Sequence, residues 1–258
     1  MLEDKIVVVS GIGPGMGRDI SLVCAREGAD IVLAARTPET LEAVAAEVRE
    51  LGRRTLCVPT NITDADECHN LVERALAEFG RIDVLVNNAA TGGYEVELGE
   101  ATERQIQHAI RINYGGTMNM TQAAIPAMRE GGGGSIVMIS SLSMRRMMPG
   151  RGTYAASKAA LLAAAQTLAL ELGPDNIRVN TVVPAAIMGE AVRIWFRQLA
   201  EERGVDYQTI HDEMAGEAAL NRIATSAEIA EAVAFFASDR SSAITGQSLD
   251  VNCGSFFV

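Results

Sequence analysis

Short runs of Val, Ile and Leu recur along the chain at 5–10, 30–35, 55–59, 82–87, 135–141, 177–183 and 247–251. They are apolar at nearly every position rather than at alternate ones. Such runs suit strands of a parallel sheet that is buried on both faces. The stretches between them are longer and carry helix signals. Thr37-Pro38 reads as an N-cap followed by proline at the first helical position, residues 63–66 open another helix, and Gly173-Pro174 closes a third. The strand–helix alternation predicts an α/β fold of the Rossmann type: a doubly wound, three-layer arrangement around a seven-stranded parallel sheet. One stretch, 185–222, breaks the rhythm. In it Val192, Trp195, Phe196 and Leu199 fall at i, i+3, i+4 and i+7, and Tyr207, Ile210 and Met214 form a second stripe. This predicts a helical insert within a single domain over 1–258, read either as a packed hairpin or as a lid.

Composition narrows the picture. A chain of 258 residues is long enough for one domain with a substantial core. The formal net charge of −11 argues against a nucleic-acid partner, which needs a basic face. Cys24, Cys57, Cys68 and Cys253 show neither paired nor metal-ligand spacing, and read as reduced thiols. His69, His108 and His211 stand apart, so no metal site is expected. The opening Met-Leu-Glu-Asp-Lys lacks the basic and apolar regions of a signal peptide, and no apolar run is long enough to span a membrane. A cytoplasmic location is the expectation.

The first candidate site follows the first strand directly. Ser10-Gly11-Ile12-Gly13-Pro14-Gly15-Met16-Gly17-Arg18 supplies glycines that let a chain turn sharply and bring backbone N–H groups near a pyrophosphate. A strand, this turn and a helix in that order point to dinucleotide binding. The second strand ends at Ala34-Ala35-Arg36-Thr37, where an NAD site usually carries a carboxylate. Arg36 offers instead a planar fork of donors to a 2′-phosphate, with Thr37 beside it, which favours NADP over NAD. Glu39 is near enough in sequence to pair with Arg36 and weaken that site.

The second candidate site is a Tyr-x-x-x-Lys pair, Tyr154 and Lys158, with Ser141 thirteen residues upstream. On a helix the pair shares one face, about one turn apart. A phenol titrates near pH 10, and a neighbouring cation favours its ionised form. Ser141 is positioned to orient a substrate oxygen. Ser140 is adjacent to it, and on a strand only one of the two can face the pocket.

Together these residues resemble the classical short-chain dehydrogenases/reductases, over nearly the whole chain. The resemblance rests on Gly11-x-x-x-Gly15-x-Gly17, Asn87-Asn88-Ala89-Ala90, Asn113, Ser141 and Tyr154-Ala155-Ala156-Ser157-Lys158. It continues through Ile177-Arg178-Val179-Asn180 and Ile244-Thr245-Gly246-Gln247. It implies Tyr154 as general acid–base, Lys158 lowering the phenol pKa and holding the nicotinamide ribose, and Ser141 on the substrate oxygen. Asn113 would anchor a water that relays protons from Lys158. Cofactor contacts are implied for Gly11, Pro14, Gly15, Met16, Gly17, Arg36, Thr37, Asn61, Ile62, Asn87, Ala89, Tyr154, Lys158, Pro184 and Ile187. Asn61 stands where an aspartate often meets the adenine amino group, and its amide oxygen can accept the same bond. Ala90, Ala185 and Gly189 depart from the usual pattern, as does Asn252-Cys253-Gly254.

The implied reaction moves a hydride between NADP(H) and a secondary alcohol or ketone. Met144, Met147, Met148, Met188, Trp195 and Phe196 suggest an apolar substrate pocket. Arg145 and Arg146 are candidates for a substrate anion at its rim. A 3-oxoacyl-[acyl-carrier-protein] reductase shares these motifs, with Arg129 and Arg178 as candidate docking cations. A non-catalytic NADP sensor is the reading from another class. The resemblance also implies a homotetramer, or failing that a dimer, built on helices at 102–130 and 152–172, the second rich in Ala and Leu. Phe256-Phe257-Val258 is apolar enough to be buried, as in a subunit contact.

Overall fold

A computed structural model describes residues 1–257. The chain alternates β1 (Ile6–Ser10), α1 (Met16–Arg26), β2 (Asp30–Ala35), α2 (Pro38–Glu50), β3 (Thr55–Pro59), α3 (Ala65–Phe79) and β4 (Val84–Asn87). It continues through α4 (Glu103–Ala109), α5 (Thr117–Glu130), β5 (Gly134–Ile139), α6 (Gly152–Leu172), β6 (Ile177–Pro184) and β7 (Ile187–Met188). Then come α7 (Glu190–Arg203), α8 (Tyr207–Gly216), β8 (Ala224–Thr225), α9 (Ser226–Ala237) and β9 (Ser248–Val251).

Seven strands form one sheet in the order β3-β2-β1-β4-β5-β6-β9, and every neighbouring pair is parallel. The apolar runs divide by parity. Val7, Val9, Ile31, Leu33 and Val86 face a core made with α1, α2 and α9. Ile6, Val8, Val32, Leu85 and Ile136 face a second core made with α3, α5 and α6. A strand whose side chains alternate between two apolar layers has to be apolar throughout, which is the pattern in the sequence. The order reverses between β1 and β4, so a crevice opens at the carboxyl ends of those two strands.

The boundaries shift at three places. The strand expected over 82–87 begins at Val84, yet Asp83 still joins the sheet: its backbone pairs with Ile6, and its carboxylate accepts the Ile6 N–H at 2.8 Å. The strand expected over 135–141 stops at Ile139, where residues 140–144 turn away. The helix expected over 102–130 is interrupted by a π-helical stretch, Ile110–Gly116. Gly115 and Gly116 lie in that wider turn, and a Cβ on Gly116 would come within 2.7 Å of the Ile62 side chain.

The insert folds as the hairpin α7–α8 around a cluster of its own. Phe196, Ala200 and Ile210 are buried there, against Leu199, Tyr207 and Met214. An ion pair at 2.6 Å links Arg203, the last residue of α7, to Glu213 of α8. At the carboxyl terminus Phe256 is half-buried and Phe257 is 78% exposed in the single chain, against the expectation of burial. Val258 lies outside the described residues.

Because the hairpin cluster is separate from the two sheet cores, it should open by itself. Phe196→Ala is expected to cost about 3–5 kcal/mol locally. Hydrogen exchange should then quicken across residues 190–216 while the strands keep their protection. Equal loss of protection in the sheet would refute a separable hairpin.

Candidate active site

The crevice between β1 and β4 is closed behind by backbone packed on backbone. Gly11 has φ +83°, and a Cβ there would lie 2.4 Å from the Ala89 Cα. A Cβ on Gly17 would lie 2.3 Å from the Gly11 carbonyl oxygen. That same oxygen accepts a 2.7 Å bond from Asn88 Nδ2. The loops after β1 and β4 are thus locked together, and only glycine fits at the contact. At Gly13 and Gly15, by contrast, a Cβ would meet nothing within 4 Å, because these residues border open space. The helix α1 starts after Gly15 without any side-chain cap, so its first amides are presented to the crevice.

The resulting cleft has a volume of about 630 Å³. Gly11, Gly15, Met16 and Gly17 line one wall, Arg36, Asn61 and Ile62 another, and Ala89 the floor. Pro14 lies in the turn itself, and Thr37 caps α2 beside Arg36. Asn87 sits behind the floor, buried, donating to Thr121 Oγ1 at 2.9 Å while its Oδ1 finds no partner. Pro184 ends β6, and Ile187 pairs with Ala224 in the short β7–β8 ribbon; neither lines the main cleft.

The second group gathers at the carboxyl end of β5. Ser140 points inward, with Oγ 3.2 Å from the Lys158 carbonyl oxygen and 3.2 Å from Met144 Sδ. Ser141 points the other way, its Oγ 3.2 Å from both the backbone N and the Oγ of Ser143. Burial pushes the Tyr154 phenol above its usual pKa; the nearby Ser141 hydroxyl and the Arg151 cation pull against the rise. Lys158 is buried, donates to the Ile139 carbonyl at 2.8 Å, and stands 5.9 Å from the Tyr154 ring centre. Burial pushes its ammonium down to about 8. The expected lowering of the phenol pKa by Lys158 is not seen in this arrangement, where the ammonium is turned onto the Ile139 carbonyl.

Asn113 lies in the π-helical stretch, fully buried. Its Oδ1 accepts from Thr91 N at 2.8 Å, and Nδ2 donates to Thr91 O at 3.0 Å and to Ser157 Oγ at 2.9 Å. Ser157 Oγ in turn donates to the Tyr154 carbonyl at 2.7 Å. Both amide protons are thus used as a clamp between the strand-4 loop and α6.

Several charged and polar candidates are committed elsewhere. Arg145 pairs with Asp250 at 2.8 Å and also reaches Ser248, and Arg146 pairs with Glu217 at 2.8 Å. Neither is free for a substrate anion. Arg129 pairs with Asp175 at 2.7 Å, and Arg178 ties β6 to the end of α9 through Phe236, Ser238 and Ser241. The Asn61 oxygen already accepts from Thr63 N and Oγ1, at 3.2 and 3.0 Å, in the turn that precedes α3. Phe196 is wholly buried in the hairpin, so it cannot wall a pocket. Arg36, in contrast, is exposed at the cleft and makes no ion pair among the described residues, with Glu39 included. Three contributors were not read from the sequence: Asn88 as the tether of Gly11, and His108 and Arg111 on the cleft wall. Asn88 was visible inside its motif. The other two carry no pattern, because a π turn brings them to the cleft.

Residues 11–255 match a family model described as enoyl-(acyl carrier protein) reductase. A 3-oxoacyl-[acyl-carrier-protein] reductase of Thermotoga maritima is 34% identical over 98% of each chain. A carveol dehydrogenase from Mycobacterium avium, solved in complex with NAD, superposes with TM-score 0.92 at 30% identity, covering 98% of each chain. A 7α-hydroxysteroid dehydrogenase, solved with NADH and 7-oxo glycochenodeoxycholic acid, superposes at 0.88 with 29% identity, covering 98% of this chain and 94% of that one. The chain belongs to the short-chain dehydrogenase/reductase family.

As a short-chain dehydrogenase/reductase it is an oxidoreductase acting on CH–OH groups with a nicotinamide cofactor. The residues present fit such a cofactor on structural grounds. The glycine turn leaves open space at Gly13 and Gly15 where side chains would obstruct a diphosphate, and the uncapped α1 amides face the same space. No helix among the described residues is long and apolar enough to cross a membrane, and no described cluster of His, Cys, Asp or Glu has the arrangement of a metal site.

The buried lysine has a measurable cost in the ligand-free protein. Below pH 8 the folded and unfolded states both hold its proton, so the fold carries the full penalty of burying a cation. Between about pH 8 and 10.5 only the unfolded state holds it, and stability climbs with pH. Lys158→Met should therefore raise the melting temperature at pH 7, by the equivalent of up to roughly 3 kcal/mol. The gain should fade as pH rises toward 10.5. A variant less stable than wild type at pH 7 would show that the bond to Ile139 outweighs desolvation.

Proposed function

We propose that this enzyme moves a hydride between NADP(H) and a secondary alcohol or ketone of largely apolar character. The observation that carries the reading is the grouping of Ser141, Tyr154 and Lys158 beyond the carboxyl end of β5, with Tyr154 tied through Ser157 and Asn113 to Thr91 on the wall of the glycine-cradled cleft. In reduction, Ser141 Oγ donates to the substrate carbonyl oxygen and Tyr154 passes its phenolic proton to that oxygen as charge develops on it. The bound nicotinamide supplies the hydride. Lys158 turns from Ile139 toward the cofactor ribose, and as a cation there it steadies the phenolate left behind. Because the Asn113 side chain is spent on its clamp, a relay water would be held by that residue's backbone carbonyl.

The NADP preference is supported by Arg36, unpaired among the described residues, and by Thr37, whose hydroxyl makes no capping bond to α2. NAD is the second choice, and the related structures cited above carry NAD or NADH. Met147 and Met148 are exposed on the loop between Ser141 and Tyr154, and Met188 and Trp195 are partly exposed at the insert, which suits an apolar substrate under a hairpin lid. A 3-oxoacyl-[acyl-carrier-protein] reductase is the alternative that sequence likeness favours. Against it, Arg129 and Arg178 are both engaged within the chain. A homotetramer is supported by α6, which leaves Ala156, Ala159, Ala163 and the 83%-exposed Leu170 facing outward.

The test is a titration with NADPH and NADH, then turnover of aliphatic and cyclic ketones beside acetoacetyl-CoA. Tighter NADPH binding, lost by at least about tenfold in Arg36→Ala, is expected. Tighter NADH binding would overturn the phosphate-fork reading. Tyr154→Phe should lower kcat by about 100-fold or more with cofactor affinity kept. Ketone turnover equal in Tyr154→Phe and wild type would overturn the acid–base assignment. Selective turnover of the acyl thioester would favour the alternative.

A further inference from the structure

The second cation at the tyrosine has no assigned part in the reaction. Arg151 immediately precedes α6, three residues before Tyr154, and its guanidinium carbon lies 5.0 Å from the Tyr154 ring centre. Lys158 is farther, at 5.9 Å, with its ammonium donated to the Ile139 carbonyl. The Arg151 guanidinium packs beside Gly92, both of its terminal nitrogens 3.8 Å from where a Cβ on that glycine would stand. No carboxylate pairs with Arg151 among the described residues, whereas Arg145 and Arg146, on the loop just before it, each have one.

We propose that Arg151 is a positioning residue for Tyr154: its permanent charge, seated against the ring, favours ionisation of the phenol in the free enzyme, before any cofactor is bound. The inference rests on Tyr154 being the acid–base. An arginine keeps its charge across the whole range in which a phenol titrates. The buried Lys158, pushed down to about 8, has lost most of its charge by the time a phenol of raised pKa begins to ionise. Lys158 thus becomes effective when a ligand draws it from Ile139, and Arg151 acts in the free enzyme.

Other charged or titratable groups on the packed elements do not take this place. Glu95 packs beside Gly150 and forms no ion pair among the described residues. His108 stacks on Tyr94 at 5.1 Å and lies 3.5 Å from Thr91 Oγ1. Arg111 is on the cleft wall, in the π-helical stretch. Arg145 and Arg146 are neutralised by Asp250 and Glu217.

The experiment is a tyrosinate absorbance titration of the ligand-free enzyme, with the Tyr154→Phe curve subtracted to isolate one phenol. The same subtraction is made in Arg151→Gln and Arg151→Lys backgrounds. Arg151→Gln is expected to raise the Tyr154 midpoint by roughly half to one pH unit, and Arg151→Lys to restore most of it. The acidic limb of the pH profile for alcohol oxidation should move the same way. A Gln curve that overlays wild type overturns the proposal, as does a Lys variant shifted as far as the Gln variant, which would indicate a merely structural part. Turnover retained by Tyr154→Phe is a separate failure. It removes the acid–base reading itself, whatever the titration shows.

Discussion

The site hangs on a contact where two main chains meet with no side chain between them. Gly11, after β1, presses on Ala89, after β4, and Asn88 bonds the Gly11 oxygen. That contact sits at the point where the sheet order reverses, and it fixes both the start of α1 and the course of the loop after β4. From there a line of hydrogen bonds runs onward. Thr91 is clamped by Asn113, Asn113 donates to Ser157, and Ser157 donates to the Tyr154 carbonyl. The glycine turn and the start of the helix that carries Tyr154 are therefore parts of one framework. A methyl group added at Gly11 or Gly17 would push on the whole line rather than on the turn alone.

Burial acts in opposite senses on the two titrating partners. It raises the phenol of Tyr154 and lowers the ammonium of Lys158, so in the ligand-free state each group is driven toward its neutral form. A tyrosine–lysine pair in a dry corner is thus not self-activating. It needs charge from elsewhere, or a ligand that returns Lys158 to a polar setting.

How far the sequence carried the reading follows from what its residues report. The doubly wound sheet was legible because strands buried on both faces must be apolar throughout, and no other common fold requires that of seven short segments. The glycine turn was legible because Gly11 and Gly17 answer to steric demands that no other residue meets. Between Ser140 and Ser141, alternation along a strand says only that one of them faces the pocket, and it is the thirteen-residue offset to Tyr154, matched to the family, that selects Ser141. The π-helical stretch was not. It depends on Gly116 fitting against Ile62 and on Asn113 finding Thr91 and Ser157, partners far away along the chain. The direction of Lys158 was equally hidden, because a helical spacing shows which face a side chain shares and not which carbonyl it finds.

Arginine shows the same limit most clearly. Written in sequence, Arg36, Arg129, Arg145, Arg146, Arg151 and Arg178 are equivalent candidates for an anion. Folding sorts them by what lies within reach. Arg178 is spent on the backbone at the end of α9, and Arg129, Arg145 and Arg146 on carboxylates. A guanidinium already held by a carboxylate offers little to a third party, since its forks are filled and its field is largely cancelled. Among the described residues of this set, Arg36 and Arg151 keep their charge unpaired, one on the cleft wall and one against the Tyr154 ring. An unfilled guanidinium is not by itself a mark of function, since Arg111 and other arginines also make no ion pair among the described residues. The part that Arg36 and Arg151 can each play is set by position: one stands exposed on the wall of the cleft, and the other lies against the ring of Tyr154.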